Sequence, residues 1–503
     1  MPGLFLLSLR PFWIPELLQK KELKMKNNNL SRRKFLAQSC CLSAGVITAG
    51  ALSSCVSAKH TAIPAGKVIG ANERINLALV GIHSRGWQLA EGFMDINGVH
   101  IKTLCDIDGN VLEKRAAELE KKKGYKPETY KDFRKALEDK EIDAVVFGTP
   151  NHWHALCAIW ACQAGKHVYV EKPACYNVFE GRKMVEAARK YNRLVQVGLQ
   201  NRSIGNVRRA MEFLHSGGIG DVYMARGLCY KERDQIGSCK DGIGTGKDYE
   251  YYAFNKKGEN YSAEYMKNVD YDMWTGPASL LPFNYNRFHY NWHWNWLYGG
   301  GDIANQGPHQ FDIARWGLNK NEHPLKVSSQ GGYFGQKCDQ QTPNTQTATI
   351  EYADGKLLVF EVRGLYANQE QGINIGNLFY GTKGWMYING SDWASFLGRK
   401  NEPGPNSTSK EEAADPSNPA GAGGEGHFAN FIRALRSGKQ TDLTAEIKDG
   451  YMSSALPLLA NISYRLGRTL TFDGAKEKFI GDRQADKMLT REYRKPYIVP
   501  ERV

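Results

Sequence analysis

From Arg74 onward the chain alternates short apolar runs with helical stretches, and this alternation leaves few folds open. Ile75–Val80 is an apolar run that stops at Gly81, and Trp87–Met94 reads as a helix. Val99–Cys105 is a second strand, closed by Asp106, and Val111–Lys122 is a charged helix. Ala144–Phe147, Val168–Val170 and Leu194–Val197 follow as short strands, with helical stretches at Trp153–Ala164 and Phe179–Tyr191 between them. Strands that are apolar on both faces need cover above and below, so the pattern predicts a parallel, doubly wound α/β sheet.

After about Gly198 the pattern changes. Asp221–Leu228, Lys326–Tyr333, Gln346–Tyr352, Leu357–Arg363 and Trp385–Ile388 read as longer strands, and Asp354-Gly355 between two of them is a hairpin signal. The segment from Gly299 leads into a helix through Leu318, Asn401–Gly424 has the composition of a surface loop, and His427–Leu435 and Lys448–Leu466 read as helices. At 503 residues the chain exceeds one ordinary core. The expected plan is a doubly wound α/β domain over 73–198 and an α+β domain with an open-faced, mostly antiparallel sheet over 199–470. A C-terminal tail over 471–503 completes it.

Residues 1–54 form a leader, followed by a tether over 55–72. Ser31-Arg32-Arg33-Lys34-Phe35-Leu36 is a twin-arginine sequence ahead of a small, weakly apolar run from Ala37 to Leu52. That run is too rich in Gly, Ser and Ala for a membrane span. Leu52-Ser53-Ser54-Cys55 resembles a lipoprotein signal with Cys55 as the acylated residue, and Met25-Lys26 opens an ordinary basic segment, so the preceding residues read as an over-extended start. The chain is therefore expected to be exported by the twin-arginine route, as a periplasmic or membrane-anchored lipoprotein.

The formal charge of +13 points to no nucleic-acid partner, because the leader holds eight Lys and Arg against Glu16 and Glu22 and the rest is scattered. Of ten Cys, three lie in or at the end of the leader. The remaining seven (Cys105, Cys157, Cys162, Cys175, Cys229, Cys239 and Cys338) are odd in number and mostly sit inside apolar patterns, so they are expected as free thiols.

Three features carry chemistry. Gly81-Ile82-His83-Ser84-Arg85-Gly86 follows the first strand directly, where glycines let the backbone approach a pyrophosphate at a helix N-terminus. His83 replaces the middle glycine of the usual pattern, but Asp106 ends the next strand, where a carboxylate accepts ribose hydroxyls and repels a 2′-phosphate. NAD is thus expected rather than NADP. Thr149-Pro150-Asn151-His152-Trp153-His154 and Glu171-Lys172-Pro173 follow later strands, and Lys172 can aim an ammonium into a cleft between domains. Phe288-His289-Tyr290-Asn291-Trp292-His293-Trp294-Asn295-Trp296 interleaves aromatic faces with hydrogen-bonding groups, which suits a carbohydrate, although the same rings could pack a wide loop. No metal ligand set is expected: His152 and His154 lack a third ligand, and the segment holding His289 and His293 lacks a helical pattern.

Thr149–His154, Gly165-Lys166-His167-Val168, Glu171-Lys172-Pro173 and Gly299-Gly300-Gly301 through His309 together resemble the glucose–fructose oxidoreductase/inositol dehydrogenase (Gfo/Idh/MocA) family over nearly all of 73–470. The resemblance implies a Rossmann domain, an α+β domain whose open sheet often mediates oligomers, and sugar, polyol or related substrates. It assigns Lys172 to proton transfer at the reacting carbon and His309 to the substrate hydroxyl. Asn305 stands where many dehydrogenases of the family carry Asp, so an Asp–His relay is missing; Asp312 is a candidate to orient His309, or a partner for Arg315. Expected cofactor contacts are Gly81, His83, Ser84, Arg85, Gly86, Asp106, Thr149, Pro150, Asn151, His154, Glu171 and Lys172. Substrate contacts are expected from Lys172, Arg202, Trp292, His293, Trp294, Asn305 and His309. Three functions fit: a sugar oxidoreductase with tightly bound cofactor, a redox-neutral NAD-dependent glycoside hydrolase, and a non-catalytic sugar-binding lipoprotein.

Overall fold

In the computed structural model, residues 74–243, 262–335, 337–409 and 426–503 are described. The leader, Arg32, Arg33, Cys55 and the tether lie outside the described residues. Six strands, β1 (Ile75–Val80), β2 (Val99–Cys105), β3 (Glu128–Tyr130), β4 (Ala144–Phe147), β5 (His167–Val170) and β6 (Val195–Val197), form a wholly parallel sheet in the order β3-β2-β1-β4-β5-β6. Helices α1 (Arg85–Met94), α2 (Gly109–Lys123), α3 (Arg134–Glu138), α4 (Asn151–Gln163) and α5 (Val178–Lys190) connect them. The order reverses between β1 and β4, which opens a crevice past the strand C-termini. Gly81, Asp106, Gly148 and Glu171 each directly follow one of those strands.

The second sheet has ten strands in the order β14-β13-β12-β11-β7-β10-β9-β8-β15-β16. They are β7 (Val222–Cys229), β8 (Lys326–Gly332), β9 (Thr345–Glu351), β10 (Leu357–Arg363), β11 (Ile375–Gly381), β12 (Gly384–Asn389), β13 (Asp392–Leu397), β14 (Glu402–Asn406), β15 (Leu470–Asp473) and β16 (Lys478–Phe479). Only β7 and β10 pair in parallel. Along β10, Leu358, Phe360 and Val362 are buried while their neighbours are half-exposed, so one face packs inward and the other is more open. Asp354-Gly355 turns β9 into β10 in an antiparallel register, as the sequence predicts.

One core runs through both sheets. Helix Ile447–Leu466 makes this possible, with Leu456 and Leu459 in the same cluster as Val168 and Val197 of the first sheet and Ile350 and Phe360 of the second. Its Gly450 comes so close to Val197 that a Cβ would lie 2.2 Å from that side chain.

The expected domain limits change at three places. Helix His427–Ser437 follows the second sheet in sequence, yet Phe431, Ile432 and Leu435 pack with Leu77, Leu79 and Phe93 against the first. Residues 471–503 are not a free tail: they complete β15, form β16, and then return, with Tyr497 and Val499 buried and the Tyr497 ring 5.2 Å from Trp153. Of the expected loop at 401–424, the first part is β14, an edge strand whose Pro403 and Pro405 are tolerated because an edge needs fewer donors; residues 410–425 lie outside the described residues. Among the described residues, five Cys are buried free thiols, and Cys239 and Cys338 are half-buried.

Candidate active site

The turns after β1 and β4 are pressed together. Gly81 holds φ +75°, and a Cβ on it would sit 2.9 Å from the Thr149 amide nitrogen. A Cβ on Gly86 would lie 1.7 Å from the Gly81 carbonyl oxygen, and one on Gly148 would lie 2.7 Å from Gly86 Cα. Only glycines permit this approach, which brings the N-terminus of α1 against the wall of a cavity of about 560 Å³ lined by His83, Ser84 and Arg85 among others. Helix-terminal amides in such a cradle suit a pyrophosphate.

Asp106 completes the fit to a dinucleotide. Its Oδ2 accepts the Ile82 amide at 2.8 Å and its Oδ1 the Asp108 amide at 3.0 Å, which fixes the carboxylate on the cavity wall. Burial pushes its pKa up, and the two amides work against that shift. Next to it the second domain reaches across. His289 Nε2 is 2.8 Å from Asp108 Oδ2, Tyr265 Oη donates to the same oxygen at 2.6 Å, and the His289 ring stacks on His83 at 4.6 Å. His289 holds φ +50°, a left-handed conformation that is strained for a residue with a side chain and that these contacts sustain. The position that departs from the glycine pattern, His83, thus serves as a docking surface for the opposite domain.

On the same cavity wall, Glu171 is buried and accepts Arg85 Nε at 2.9 Å and the Lys172 amide at 3.2 Å. Burial would raise its pKa, but Arg85 and Lys172 outweigh it and hold the carboxylate low. Lys172 Nζ donates to Asn305 O at 3.0 Å and to Asn305 Oδ1 at 3.1 Å. Burial lowers the Lys172 pKa, partly offset by Glu171. His154 is clamped between the Pro173 carbonyl at 2.7 Å and the Thr149 carbonyl at 2.8 Å, so it ties the two turns that carry the cavity wall. Thr149, Pro150 and Asn151 line the cavity with it.

Asn305 ends the helix Gly301–Asn305, and His309 lies in the next helix, Gly307–Gly317. Asn305 and Gln306 line the cavity; His309 itself does not. Its Nδ1 is buried with no partner among the described residues, and burial together with the Lys172 charge lowers its pKa to about 4, leaving a neutral imidazole at physiological pH. Asp312 does not orient it. That carboxylate takes Arg202 Nε at 2.8 Å and Ser453 Oγ at 2.6 Å, with Arg315 at 3.8 Å.

Besides His309, two expected substrate contacts lie elsewhere. Arg202 is buried against Asp312, with Asp449 at 3.3 Å and the Trp316 ring beneath it, and is absent from the cavity wall; a basic residue beyond the last Rossmann strand serves to neutralise a buried acid. Trp294 is buried under the Arg233 guanidinium, 5.4 Å from its ring, so it packs the loop instead of lining the site. Trp292 and His293 do line the cavity, stacked at 3.6 Å. His152 turns away, with Nε2 2.9 Å from the Trp274 carbonyl. Among the described residues no three His, Cys, Asp or Glu side chains gather as a metal site. The sequence reading passed over Gly148, Lys231 and Arg233. Gly148 had a signal, a glycine directly after an apolar strand; the two cations had none, because they stand in an irregular stretch after β7.

Comparison with known proteins fits this geometry. The profile of the oxidoreductase family, NAD-binding Rossmann fold, matches residues 75–199, and that of the oxidoreductase family, C-terminal alpha/beta domain, matches residues 242–499. The chain belongs to the Gfo/Idh/MocA oxidoreductase family. The second match runs through the returning C-terminal segment, in keeping with its place in the fold. Among solved Gfo/Idh/MocA-like folds, the WlbA dehydrogenase from Chromobacterium violaceum, in complex with NADH and UDP-GlcNAcA, superposes with a TM-score of 0.57 at 20% identity, covering 81% of this chain and 99% of that one. Levoglucosan dehydrogenase, in complex with NADH and L-sorbose, gives 0.55 at 18% identity, covering 79% and 99%. Among curated relatives, an alpha-N-acetylgalactosaminidase from Shewanella oneidensis is 32% identical over 173 residues, and a glycosyl hydrolase family 109 protein from Shewanella baltica is 33% identical over the same length. Each alignment covers 32% of this chain and 38% of the relative.

Proposed function

We propose that this protein binds NAD tightly and uses it for hydride chemistry at a hydroxyl-bearing carbon of a sugar, polyol or glycoside. The observation that carries this is a single cavity lined by the glycine turn after β1, by Asp106 and by the Lys172–Asn305 pair. When bound, a nicotinamide dinucleotide supplies the hydride acceptor and donor. Gly81, Gly86 and the start of α1 would hold its pyrophosphate, and Asp106 its ribose hydroxyls.

The chain's own residues handle the proton. Lys172 is fixed through two hydrogen bonds to Asn305, which leaves its remaining Nζ position for a substrate hydroxyl. A lysine with a lowered pKa gives up and takes back a proton near neutrality more readily than a solvated one. Asn305 accepts from Lys172 but cannot take its proton, so it orients the ammonium without trapping it. His309 is the second expected proton acceptor, but it lies behind the cavity wall with its pKa lowered to about 4, so Lys172 is the group placed to move the proton. The His289–Asp108 link and the His83 stack draw the second domain over the cofactor end, which favours a retained cofactor over an exchanging one.

A second reading draws on the glycosidase names of the Shewanella relatives: a redox-neutral glycoside cleavage in which the hydride returns to the same sugar. Mass spectrometry of purified protein, followed by a glycoside panel in deuterated water, separates the two. Reduction of an added acceptor without bond cleavage supports the oxidoreductase. Cleavage without added cofactor, with deuterium at C2 of the released sugar, supports the hydrolase. Sugar binding with neither outcome supports the non-catalytic reading, and protein free of dinucleotide refutes the cofactor assignment. NAD is favoured over NADP; Asp106→Ser is expected to relax that preference, since a charge-assisted hydrogen bond is worth about 1.5–3 kcal/mol.

Location and assembly belong to the same proposal. Arg32-Arg33 would direct export and Cys55 would carry a lipid, so changing both arginines to lysine should retain the protein inside the cell, and Cys55→Ala should leave it unlipidated. The open face of the ten-stranded sheet, which presents Tyr380, Trp385 and Tyr387, is the proposed contact in a homo-oligomer. A monomeric mass by light scattering would remove that part.

A further inference from the structure

We propose that the sugar unit reacting in this cleft carries a negative charge, a carboxylate or an acidic ester, which Lys231 and the Nη1 edge of Arg233 receive. This rests on the sugar-oxidoreductase reading and names its substrate class. Both residues follow β7 on the second-domain wall, and both line the same cavity as Lys172. Arg233 is built into place. Buried Asp302 takes its Nε at 3.1 Å and its Nη2 at 2.5 Å, the Trp294 ring lies beneath it, and Nη1 is left pointing toward Tyr290 Oη at 3.5 Å.

The other cations of the cavity wall have partners. Arg85 is paired with Glu171, Lys172 is held by Asn305, and Lys131 donates to Asn268 O at 2.9 Å. Lys231 has no hydrogen-bond or ion-pair partner among the described residues. A cation aimed into a partly desolvated cleft without a counter-charge is costly, and an anionic ligand group offsets that cost. The cofactor's pyrophosphate belongs at α1 on the opposite wall, so it does not serve as that counter-charge. Lys231 and Arg233 also add to the burial that depresses the Lys172 pKa. A bound anion would quench their field and return Lys172 toward its protonated form, so charge recognition and proton transfer would be coupled.

The test uses the full-length, dinucleotide-loaded protein. Quenching of bound NADH fluorescence gives the affinity for D-glucuronate, D-galacturonate, glucose 6-sulfate and glucose 6-phosphate against D-glucose and D-galactose. At least one acidic sugar is expected to bind about tenfold more tightly than its neutral counterpart, and Lys231→Met is expected to bring that ratio close to one. A response confined to the uronates assigns a carboxylate, and one confined to the esters assigns a sulfate or phosphate. Equal affinities, a preference that survives Lys231→Met, or no binding of any acidic sugar overturns the proposal. Oxidation of neutral sugars without preference would overturn it while sparing the oxidoreductase reading. If no sugar reduces bound NAD, the underlying reading fails instead.

Discussion

Lys172 and Asn305 form the smallest unit on which the proposed chemistry depends. Lys172→Ala removes the group proposed to move the proton and leaves the glycine cradle untouched. Turnover should fall about 10²–10⁴-fold while bound dinucleotide, measured by mass spectrometry, stays stoichiometric. Asn305→Asp asks a different question. It sets a carboxylate about where an amide oxygen now sits 3.1 Å from Nζ, so the Lys172 pKa must rise and, because only the neutral amine takes the hydroxyl proton, the acid-side limb of the oxidation rate must shift to higher pH. An unchanged profile would remove Lys172 from the proton path. Lys172 and Asn305 were readable in sequence because each lies within a short motif. Arg202 was misassigned because a basic residue beyond a strand looks the same whether it faces a ligand or, as here, Asp312.

At the scale of elements, two variants separate cofactor seating from scaffold. Gly86→Ala drives a methyl into the Gly81 carbonyl, and the β1–α1 turn has no side chain that can yield. Loss of bound dinucleotide is the expected result, and full loading of this variant would mean the cradle holds no phosphate. Arg202→Ala strips a buried partner from Asp312, which keeps Ser453 and Arg315, so the loss should be about 3 kcal/mol, the lower part of the range for a broken buried pair. The melting temperature should drop while KM holds; a raised KM with unchanged stability would return Arg202 to the substrate. Five of the six strands of the first sheet followed from pattern almost residue for residue, because strands buried on both faces leave continuous apolar runs; β3, a short exposed edge strand, left none. Of the second sheet, β11, β13, β14, β15 and β16 escaped notice. β11 carries Gly376 and Asn377, β14 holds two prolines, and β16 has only two residues, so their place comes from neighbouring strands and not from their own propensity.

The molecule as a whole is set against acid. Burial lowers the pKa of His152 and His293 to about 3 and of His167, His309 and His427 to about 4. The unfolded chain takes up protons at these sites near pH 6.5, well before the folded one, so stability must fall as pH drops from about 6.5 toward 4. Glu180 and Asp106 act the other way: burial raises both, Glu180 to about 7, so they favour the folded state as pH falls, against the five histidines. Thermal unfolding followed from pH 7.5 to 4.5 should therefore show a steady decline, and a flat profile would mean these imidazoles are not held neutral. The returning C-terminal segment has a bearing on how the protein is made. Arg494 donates to the Gly276 carbonyl at 2.9 Å and pairs with Asp272, beside Met273 and Trp274 of the cavity wall, while Tyr497 braces Trp153. A nascent chain that has emerged only as far as residue 470 already has most of both sheets but lacks this brace. The cleft therefore takes its final form only once residues 471–499 have joined the fold, and a dinucleotide would be captured there after both sheets are largely complete.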